Sequence, residues 1–422
     1  MLIRWFYTLL LAIVSPFLLL SLYKKKDGKP SVGKRWKEHF GFTQGLHSTT
    51  NPIWIHAVSV GETLAVTPLI MQLKLKYPEV DIVLTTTTPT GAEQAGKLGS
   101  LVTHRYMPLD FPFAVQRFIR TINPCKLIIM ETELWPNTLH IVAKNNIPIS
   151  VINARLSERS YKRYSRVQPL FNLLIRNLSQ VLCQYDDDAK RFVKLGVPLD
   201  KVFITGSIKF DVNINNETLE RGNKLRNKIG RSRPVWIAAS THKGEDEQIL
   251  NTHRILLGTY PTALLILVPR HPERFNSVFE LCTDLGFVAQ RRTQHNLNEL
   301  NNSEVYLGDT MGEMLTLIQA ADVCFMGGSL IGSKAGGHNV LEPAALGKPI
   351  ISGSSYFNFT EIVQRLLTKD AIIIVDSEQA LSNILKELFG SPERMSNQGK
   401  NGAKCVTDNQ GSLSKTLGLI ID

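Results

Sequence analysis

Glutamates follow two apolar segments in the first half of the chain, where a carboxylate could take a proton from a hydroxyl. Glu62 comes after segment 53–58, and Glu131 and Glu133 come after segment 126–130. A carboxylate at the end of a buried strand is suited to general base catalysis. Glutamate is also stabilised at the start of a helix, so helix capping is the alternative for all three residues. The residue types alone leave both roles open.

Turns in the second half of the chain combine glycines with side chains suited to phosphate. Arg270 and His271 end one apolar segment, and Arg270 could grip a phosphate through two parallel hydrogen bonds. The loop 327–330 is expected to let backbone amides approach an anion, because glycine has no side chain and helix N-termini attract negative charge. Glu342 could accept hydrogen bonds from sugar hydroxyls, and the turn 308–314 could hold a base or a phosphate. The convergence of these turns predicts a nucleotide pocket.

Other nucleotide-binding signatures fit this sequence less well. Residues 327–334 nearly match the phosphate loop of NTPases, but Ser333 precedes Lys334, and in this order the lysine would miss the phosphates. No GxGxxG motif is followed by an acidic residue about twenty positions later, which argues against a dinucleotide site. The plain alternative is that these glycines only turn the chain. The His-Asn-x-Leu-Glu-Pro run at 338–343 argues against that alternative.

Two charged clusters elsewhere have competing explanations. Asp186 to Asp188 could hold a metal, but they precede a helix pattern that Gly196 ends, so capping is preferred and no metal site is predicted. Segment 154–177 mixes basic and apolar residues, which suits a membrane surface or a phosphorylated lipid as well as an ordinary solvated helix face. Nucleic acid is not a predicted partner, because no recognition motif accompanies the charge. The candidate site residues in this half of the chain, besides Glu62, are Glu131, Glu133, Arg155, Arg159 and Arg163.

Length and composition favour a two-domain globular protein. A chain of 422 residues exceeds what one hydrophobic core usually serves. The hydrophobic content of 43% and the charged content of 20% are ordinary for a folded protein and argue against disorder. Five scattered cysteines without a CxxC pair are typical of reduced residues in a cytosolic protein.

The N-terminal segment predicts a membrane anchor over residues 1–25. Trp5 to Tyr23 is apolar and long enough to cross, or nearly cross, a bilayer. Lysines at 24–26 and 29 follow it, and the positive-inside rule then places the rest of the chain in the cytoplasm. A cleaved signal peptide is less favoured, because only Arg4 precedes the apolar run and no small-x-small cleavage site follows it.

From Ile53 onward, short apolar strands alternate with amphipathic helices. This alternation predicts an α/β fold with parallel sheets wound on both sides, and the polar stretch 212–233 divides it in two. We therefore expect two Rossmann-like domains, 26–212 and 213–422, that face a cleft with ligands beyond the carboxyl ends of the strands. The strands predicted for the second domain are 235–239, 263–268, 304–307, 322–325, 349–351 and 372–375.

Several longer runs together point to a known family. These runs are SVGET, METELWPN, NARLSERS, GSIKFD, PVWIAASTHKGE, LVPRHPERF, GDTMGEM, FMGGSL and GGHNVLEPAALGKP. The chain resembles the 3-deoxy-D-manno-octulosonic acid (Kdo) transferases of lipopolysaccharide synthesis over essentially its whole length, including the apolar N-terminus. One departure is the rather long spacer 331–335 before Gly336.

The resemblance implies a GT-B fold, CMP-Kdo as donor substrate, lipid IVA as acceptor and a place at the cytoplasmic face of the cell inner membrane. It implies that Glu62 is the general base, that domain 26–212 binds the acceptor and that domain 213–422 binds the donor, with no cofactor or metal. Retaining enzymes of this fold often carry a second glutamate shortly after Glu342, but position 350 is isoleucine, so an inverting displacement is expected. The implied CMP contacts are Arg270, His271, Met311, Gly312, Glu313, Asn339, Val340, Leu341 and Glu342.

Two alternatives stay open. A membrane-tethered lipid-binding or scaffold protein would need the anchor and the basic segment but not Glu62, Arg270 or Glu342. A transferase of the same fold could use another sugar nucleotide, such as a UDP donor.

Overall fold

The chain folds into two compact units. Unit 1 consists of Met1–Asp211 and Gln410–Asp422, and unit 2 consists of Val212–Asn409. Within the described residues each unit contains one seven-stranded sheet, which confirms the prediction of two parallel α/β domains. The computed structural model describes residues 2–23, 31–46, 50–294, 300 and 302–421.

Unit 1 is built on a parallel sheet that the chain enters in the middle. Its strands are β1 (Ile53–His56), β2 (Ile82–Thr86), β3 (Thr103–Tyr106), β4 (Lys126–Met130), β5 (Ile149–Ala154), β6 (Gln180–Cys183) and β7 (Val202–Ile204). Their order is β3-β2-β1-β4-β5-β6-β7. Strands β2 and β5 are buried along their whole length, as expected where helices cover both faces of a sheet.

The helices of unit 1 lie between these strands and at both ends of the chain. They are α1 (Leu2–Tyr23), α2 (Val60–Lys76), α3 (Pro89–Gly96), α4 (Pro112–Ile122), α5 (Pro136–Lys144), α6 (Glu158–Arg166), α7 (Gln168–Ile175), α8 (Asp186–Lys194) and α17 (Ser412–Ile421). Short 3-10 segments lie at Gly33–Phe40, Gly99–Leu101, Leu199–Lys201 and Ile208–Phe210.

Unit 2 has the same kind of parallel sheet. Its strands are β8 (Val235–Thr241), β9 (Leu264–Pro269), β10 (Ala289–Arg291), β11 (Val305–Leu307), β12 (Val323–Met326), β13 (Ile350–Gly353) and β14 (Ile372–Val375), in the order β10-β11-β9-β8-β12-β13-β14. Its helices are α9 (Asn216–Ile229), α10 (Asp246–Leu257), α11 (Phe275–Asp284), α12 (Met314–Ala320), α13 (Leu341–Ala345), α14 (Thr360–Leu367), α15 (Glu378–Gly390) and α16 (Pro392–Asn409).

Strand β10 is the strand of unit 2 that the sequence did not predict. It is three residues long, Ala-Gln-Arg, and lies at the edge of the sheet beside β11. All three residues are only partly buried. This strand carries no apolar run, so the pattern that predicted the other strands has no counterpart here.

The C-terminal helix belongs to unit 1, whereas the predicted second domain extended to residue 422. The carboxylate of Asp211 accepts hydrogen bonds from the backbone N–H groups of Gly411 at 2.7 Å and Leu413 at 2.6 Å. Gln180 donates to the carbonyl oxygen of Leu419 at 2.8 Å. Ile420 is buried in the hydrophobic core beside β1 and α2. The apolar face of α17 therefore completes the core of unit 1, and the chain crosses between the units twice.

Helix α1 packs on unit 1 along one side. The hydroxyl of Thr8 accepts a hydrogen bond from the side-chain amide of Asn137 at 2.9 Å, at the start of α5. Buried Asp110 caps α5, because its carboxylate accepts hydrogen bonds from the backbone N–H groups of Asn137 at 2.9 Å and Thr138 at 2.6 Å. Burial raises the pKa of Asp110 to about 6. The exposed apolar side chains of α1 are Leu2, Ile3, Trp5, Phe6, Leu9, Leu10, Ile13, Val14, Phe17 and Leu20.

The sequence predicts a membrane anchor in this part of the chain. Among the described residues, no helix combines the length and the apolar content needed to cross a membrane. The predicted lysine collar at 24–26 and 29 lies outside the described residues.

Candidate functional site

Glu62 lies in the first turn of α2, just beyond the carboxyl end of β1. Ser59 is the N-cap of this helix, and its hydroxyl donates to Glu62 Oε1 at 2.9 Å. The backbone N–H of Val58 donates to Glu62 Oε2 at 2.8 Å. Glu62 thus closes a reciprocal capping arrangement with Ser59, which is the structural role that the sequence left open.

The same surroundings bring the pKa of Glu62 into the range that suits a general base. Burial raises its pKa to about 7, against the two hydrogen bonds that favour the carboxylate, and the charges of Glu131 and Glu133 raise it further. A general base works best when its pKa lies near the operating pH. Capping and proton transfer are therefore compatible at this residue, because the capping contacts hold the carboxylate in place without fixing its protonation state.

Glu131 and Glu133 lie at the neighbouring strand end, because β4 pairs with β1. Glu131 adopts a φ of 58°, a left-handed conformation that is rare for a residue with a side chain, and such conformations cluster at functional sites. Its Oε1 lies 3.1 Å from Nζ of Lys209. Burial raises the pKa of Glu133, and the charge of Glu131 adds to that effect. The three predicted glutamates thus form one cluster at the carboxyl edge of the sheet.

Lys209 was not among the predicted site residues. It follows β7 in the short segment Ile208–Phe210 and brings a positive charge to the glutamate cluster. The run GSIKFD contains it, but the run gives no indication that it pairs with Glu131, which is 78 positions earlier.

The basic candidates of unit 1 occupy the next part of this edge. Arg155 follows β5, which pairs with β4, and its carbonyl oxygen accepts a hydrogen bond from the hydroxyl of Thr132. Arg159 and Arg163 lie on α6 and are exposed to solvent. Burial raises the pKa of Tyr164, and the negative charge of Glu133 raises it further. Helix α6, which carries Tyr164, therefore lies near the glutamate cluster.

The three aspartates at 186–188 have ordinary structural partners. They occupy the first turn of α8, where a carboxylate suits the helix dipole, whereas the N-cap position that the sequence suggested for them is held by Tyr185. Asp186 is ion-paired with Lys190, and Asp188 accepts from the backbone N–H of Leu156 at 2.8 Å. Within the described residues, no group of histidine, cysteine and acidic side chains is arranged to hold a metal ion.

In unit 2 the predicted donor-binding loops share one edge of the sheet. These loops follow β9, β11 and β12, which belong to one parallel sheet, so the carboxyl ends of the three strands lie at the same edge. Arg270 and His271 come directly after β9 and are exposed. The charge of Arg270 influences the pKa of both Glu342 and His338, so these three side chains lie in one region.

Asn339 and Glu342 are held together at the start of α13. The side-chain amide of Asn339 donates to Glu342 Oε1 at 3.1 Å, and its oxygen accepts from the backbone N–H of Leu341 at 3.1 Å. Burial raises the pKa of Glu342, and Asn339 and Arg270 counteract that effect. Val340 and Leu341 are buried, so any contact of these two residues with a ligand would come from the backbone.

The glycine loop after β12 does not present its amides to a ligand, contrary to the sequence expectation. The N–H of Gly328 donates to Glu245 at 2.7 Å, and those of Ser329 and Leu330 each donate at 3.0 Å. The N–H of His242 donates to the same carboxylate at 3.1 Å. An internal anion therefore occupies the position that the sequence suggested for a phosphate. Glu245 lies 83 positions before Gly328, so the motif gives no sign of it.

The turn after β11 is held by an ion pair. Arg292 donates to both carboxylate oxygens of Glu313, at 3.1 and 2.9 Å, and this contact lowers the pKa of Glu313 to about 2. The hydroxyl of Thr310 also donates to Glu313. Met311 and Gly312 are exposed at the tip of the turn, and Gly312 has a φ of 80°. The carboxylate of Glu313 thus holds the turn together, while Met311 and Gly312 are exposed to solvent.

Each of the two units matches a known protein family. Residues 34–212 match the family model for 3-deoxy-D-manno-octulosonic-acid transferase (kdotransferase), and residues 233–405 match the model for glycosyl transferases group 1. The chain is 43% identical over 422 residues to the 3-deoxy-D-manno-octulosonic acid transferase of Haemophilus influenzae, covering 99% of this chain and 98% of that protein.

Solved structures show the same fold at low sequence identity. A glycosyltransferase from Rickettsia africae has a TM-score of 0.51 at 14% identity and covers 88% of this chain and 98% of its own. Anabaena Alr3699/HepE in complex with UDP has a TM-score of 0.52 at 13% identity and covers 88% of this chain and 99% of its own. These likenesses concern the arrangement of two Rossmann-like domains found in GT-B glycosyltransferases. The two family models and the full-length relative show that this chain is a glycosyltransferase that belongs to the 3-deoxy-D-manno-octulosonic acid transferase family.

Proposed function

We propose that this enzyme transfers Kdo from CMP-Kdo to lipid IVA with inversion at the anomeric carbon. In the proposed reaction a hydroxyl oxygen of lipid IVA attacks the anomeric carbon of Kdo, the bond from that carbon to the phosphate oxygen breaks, and CMP leaves with the bonding electrons. Glu62 takes the hydroxyl proton. The observation that carries the proposal is a capped carboxylate with a pKa of about 7, at a strand edge next to Glu131 and Lys209, in a chain of this family.

The donor side of the proposal rests on charge and positioning. CMP is a good leaving group, so the enzyme needs mainly to orient the reactants and hold the phosphate. Arg270 supplies a permanent positive charge in an exposed position after β9. The proposed reaction uses these groups and no metal or cofactor. Exposed Met311 and Gly312 are assigned to the nucleotide.

The direct test is incubation of the purified full-length enzyme with CMP-Kdo and lipid IVA, followed by measurement of released CMP and of the modified lipid. The proposal predicts CMP release that depends on lipid IVA. Folded protein that releases no CMP would contradict it and favour a lipid-binding or scaffold role. Competition of CMP against UDP in a binding assay separates a CMP-sugar donor from another sugar nucleotide.

Replacing Arg270 by alanine should weaken CMP binding. The lost hydrogen bonds to phosphate are charge-assisted, and their removal costs on the order of 1.5 to 3 kcal/mol, or roughly tenfold to a hundredfold in Kd. Isothermal titration with CMP measures this change. Arg394→Ala is the matched control, because Arg394 lies on α16 and is ion-paired with Glu387. Unchanged CMP affinity in Arg270→Ala would remove Arg270 from the donor site.

We further infer that α1 lies along the cytoplasmic surface of the cell inner membrane. Its exposed side chains are apolar, and Trp36, Lys34 and Lys37 are exposed in the adjoining segment Gly33–Phe40. The hydroxyl of Tyr23 donates to the carbonyl oxygen of Trp36, so the end of α1 contacts that segment. Tryptophan and lysine beside an apolar helix suit the interface of an anionic bilayer.

Two leucines of α1 allow a test that leaves its contacts with α5 intact. Leu9 and Leu20 are 59% and 71% exposed, and changing both to serine should weaken binding to anionic vesicles at least tenfold, since each leucine buried in lipid contributes about 1.5 to 3 kcal/mol. Leu75→Ser with Leu199→Ser is the matched control, because both are 75% exposed on unit 1 but outside α1. Co-sedimentation with vesicles measures the effect. Equal loss in both double variants, or none in either, would contradict the role of α1.

A further inference from the structure

Two imidazole rings form a hydrogen-bonded pair in unit 2 that the sequence-based assignment did not include. Nε2 of His242 lies 2.8 Å from Nε2 of His338. The rings are stacked, with centroids 5.1 Å apart and an angle of 10° between their planes. His271 meets His242 edge-on at 5.4 Å. A predicted donor-binding residue thus touches a pair that carries no assigned role.

The pair is held in place by the loops around it. Glu245 binds the backbone N–H of His242 and those of the glycine loop, so it fixes the turn after β8 against the turn after β12. The N–H of Gly337, next to His338, donates to the carbonyl oxygen of Gly328 at 2.9 Å. A side chain at Gly328 would come within 3.0 Å of His338 Nε2 and 3.2 Å of His242 Cδ2. Glycine at 328 therefore makes room for the pair.

The hydrogen bond between the rings determines what they can offer a ligand. One Nε2 donates and the other accepts, so the accepting neutral ring carries its own proton on Nδ1. Among the described residues, the hydrogen bond between the two Nε2 atoms is the one that these side chains make, so neither Nδ1 atom has a hydrogen-bond partner. Both rings are partly exposed, so an Nδ1–H of the pair can donate to a bound molecule.

The charges around the pair favour an anion. Burial lowers the pKa of His338 to about 3, and the charges of Arg270, His242 and His271 lower it further. Burial also lowers the pKa of His242, as do the charges of His271, Arg274 and Arg270. The nearby carboxylates are already occupied: Asp246 is ion-paired with Arg274, Glu245 accepts from backbone amides, and Glu342 accepts from Asn339. The pair is therefore a neutral donor in a positive environment.

The proposed donor carries two anions side by side. A 2-ulosonic acid such as Kdo has its carboxylate on the anomeric carbon, which also bears the phosphate ester in CMP-Kdo. A site that binds the phosphate must therefore accommodate a carboxylate only a few bonds away. The two parallel hydrogen bonds of one guanidinium are taken up by one of these groups, so the other group needs a separate donor.

We propose that the His242–His338 pair binds the carboxylate of the transferred sugar while Arg270 binds the phosphate. This assignment rests on the proposed function, because it names a part of the same donor. It makes the histidine pair a specificity determinant for acidic sugars, since a neutral sugar has nothing to accept the Nδ1 proton. The imidazole hydrogen bond adds rigidity, because each ring fixes the position of the other.

Two stable esters of CMP provide the test. The carboxymethyl ester of the CMP phosphate reproduces the phosphate–oxygen–carbon–carboxylate connection of the donor, and the ethyl ester lacks only the carboxylate. Titration of both into the full-length enzyme gives the ratio of their Kd values. We expect the wild-type enzyme to bind the carboxymethyl ester about tenfold or more tightly, the size of a hydrogen bond to a charged group. In His242→Gln and His338→Gln the ratio should fall to near one, with ethyl ester affinity retained.

The controls separate the possible failures. His140→Gln changes a histidine of α5 in unit 1 and should keep the wild-type ratio, whereas Arg270→Ala should weaken both esters together. Retained ethyl ester binding shows that a variant is folded, and His338→Asn serves if a glutamine variant is not. A ratio near one in the wild type, or an unchanged ratio in the folded variants, overturns the assignment. Failure of the wild type to bind either ester would instead count against CMP-Kdo as the donor.

Discussion

Glu62→Gln should reduce turnover by roughly a hundredfold or more, because glutamine cannot accept the hydroxyl proton. The substitution keeps the shape of the side chain, and the amide can still accept from Val58 and donate to Ser59, the two contacts that hold Glu62. CMP affinity should be unchanged, since the proposed CMP contacts all lie in unit 2. The measurement is single-turnover transfer to lipid IVA together with titration of CMP.

The pH dependence of the wild-type enzyme tests the same assignment. The base works in its deprotonated form, so turnover should rise with pH through about 7 and then level off. Folding has the opposite dependence: burial raises the pKa of Glu62 above the ordinary 4.5, so its contribution to stability is present at low pH and is lost as pH rises through about 7. Glutamine does not ionise, so Glu62→Gln should melt no lower than the wild type above pH 7.

A purely structural Glu62 predicts the opposite result, with near-normal turnover and a lower melting temperature. Glu133→Gln is the informative comparison, because Glu133 is also partly buried with a raised pKa in the same cluster. If Glu62→Gln is fully active and Glu133→Gln is not, the base is Glu133.

Glu245→Gln should destabilise unit 2 by on the order of 2 to 6 kcal/mol, because each carboxylate oxygen accepts from two backbone N–H groups and a buried donor left without its acceptor costs about 1 to 3 kcal/mol. The carboxylate is fully buried and accepts from four backbone amides. Glutamine replaces one accepting oxygen with an NH2 group that faces backbone donors. Thermal unfolding should show a clear loss for Glu245→Gln, with Glu247→Gln, exposed two positions later on α10, as the matched control.

The same variant distinguishes the structural interpretation of the glycine loop from the phosphate interpretation. If the loop amides served the donor phosphate, removing a competing carboxylate would strengthen CMP binding. If they only hold the loop, CMP binding should not strengthen, and the preference for the carboxymethyl ester over the ethyl ester should fall, because His242 and His338 lose their fixed position. Stronger CMP binding by Glu245→Gln would therefore restore the phosphate role that the sequence suggested.

The central strands could be predicted from the sequence because their burial depends on local composition. Strands covered on both faces are mostly apolar along their length, as β9 is, so the pattern identifies them without knowledge of their neighbours. Strand β10 could not be identified in this way, because its residues at the edge of the sheet are only partly buried and need not be apolar. Helix α17 has an amphipathic sequence, but its local sequence does not specify whether its apolar face packs on unit 1 or on unit 2.

The contacts of the candidate site residues could be predicted only where one short motif supplies both a residue and its partner. Glu62 and Ser59 are three positions apart, and so are Asn339 and Glu342, so each pair is visible in its own run. The partners of Glu131 and of the glycine loop come from elsewhere in the chain. A glycine-rich loop indicates that something anionic approaches the backbone, and the sequence does not say whether that anion is a ligand or a side chain.

The return of the chain to unit 1 has a consequence for synthesis on the ribosome. Residues 410–422 are translated after the whole of unit 2, yet Asp211 and the core beside β1 depend on them. The core of unit 1 therefore stays incomplete, with the apolar surface that α17 later covers still exposed, until all of unit 2 has been translated. Nascent chains in that interval are the ones most exposed to aggregation and most in need of chaperones. Domain-by-domain folding from the N-terminus is thus replaced by an order in which the domain that starts first is finished last.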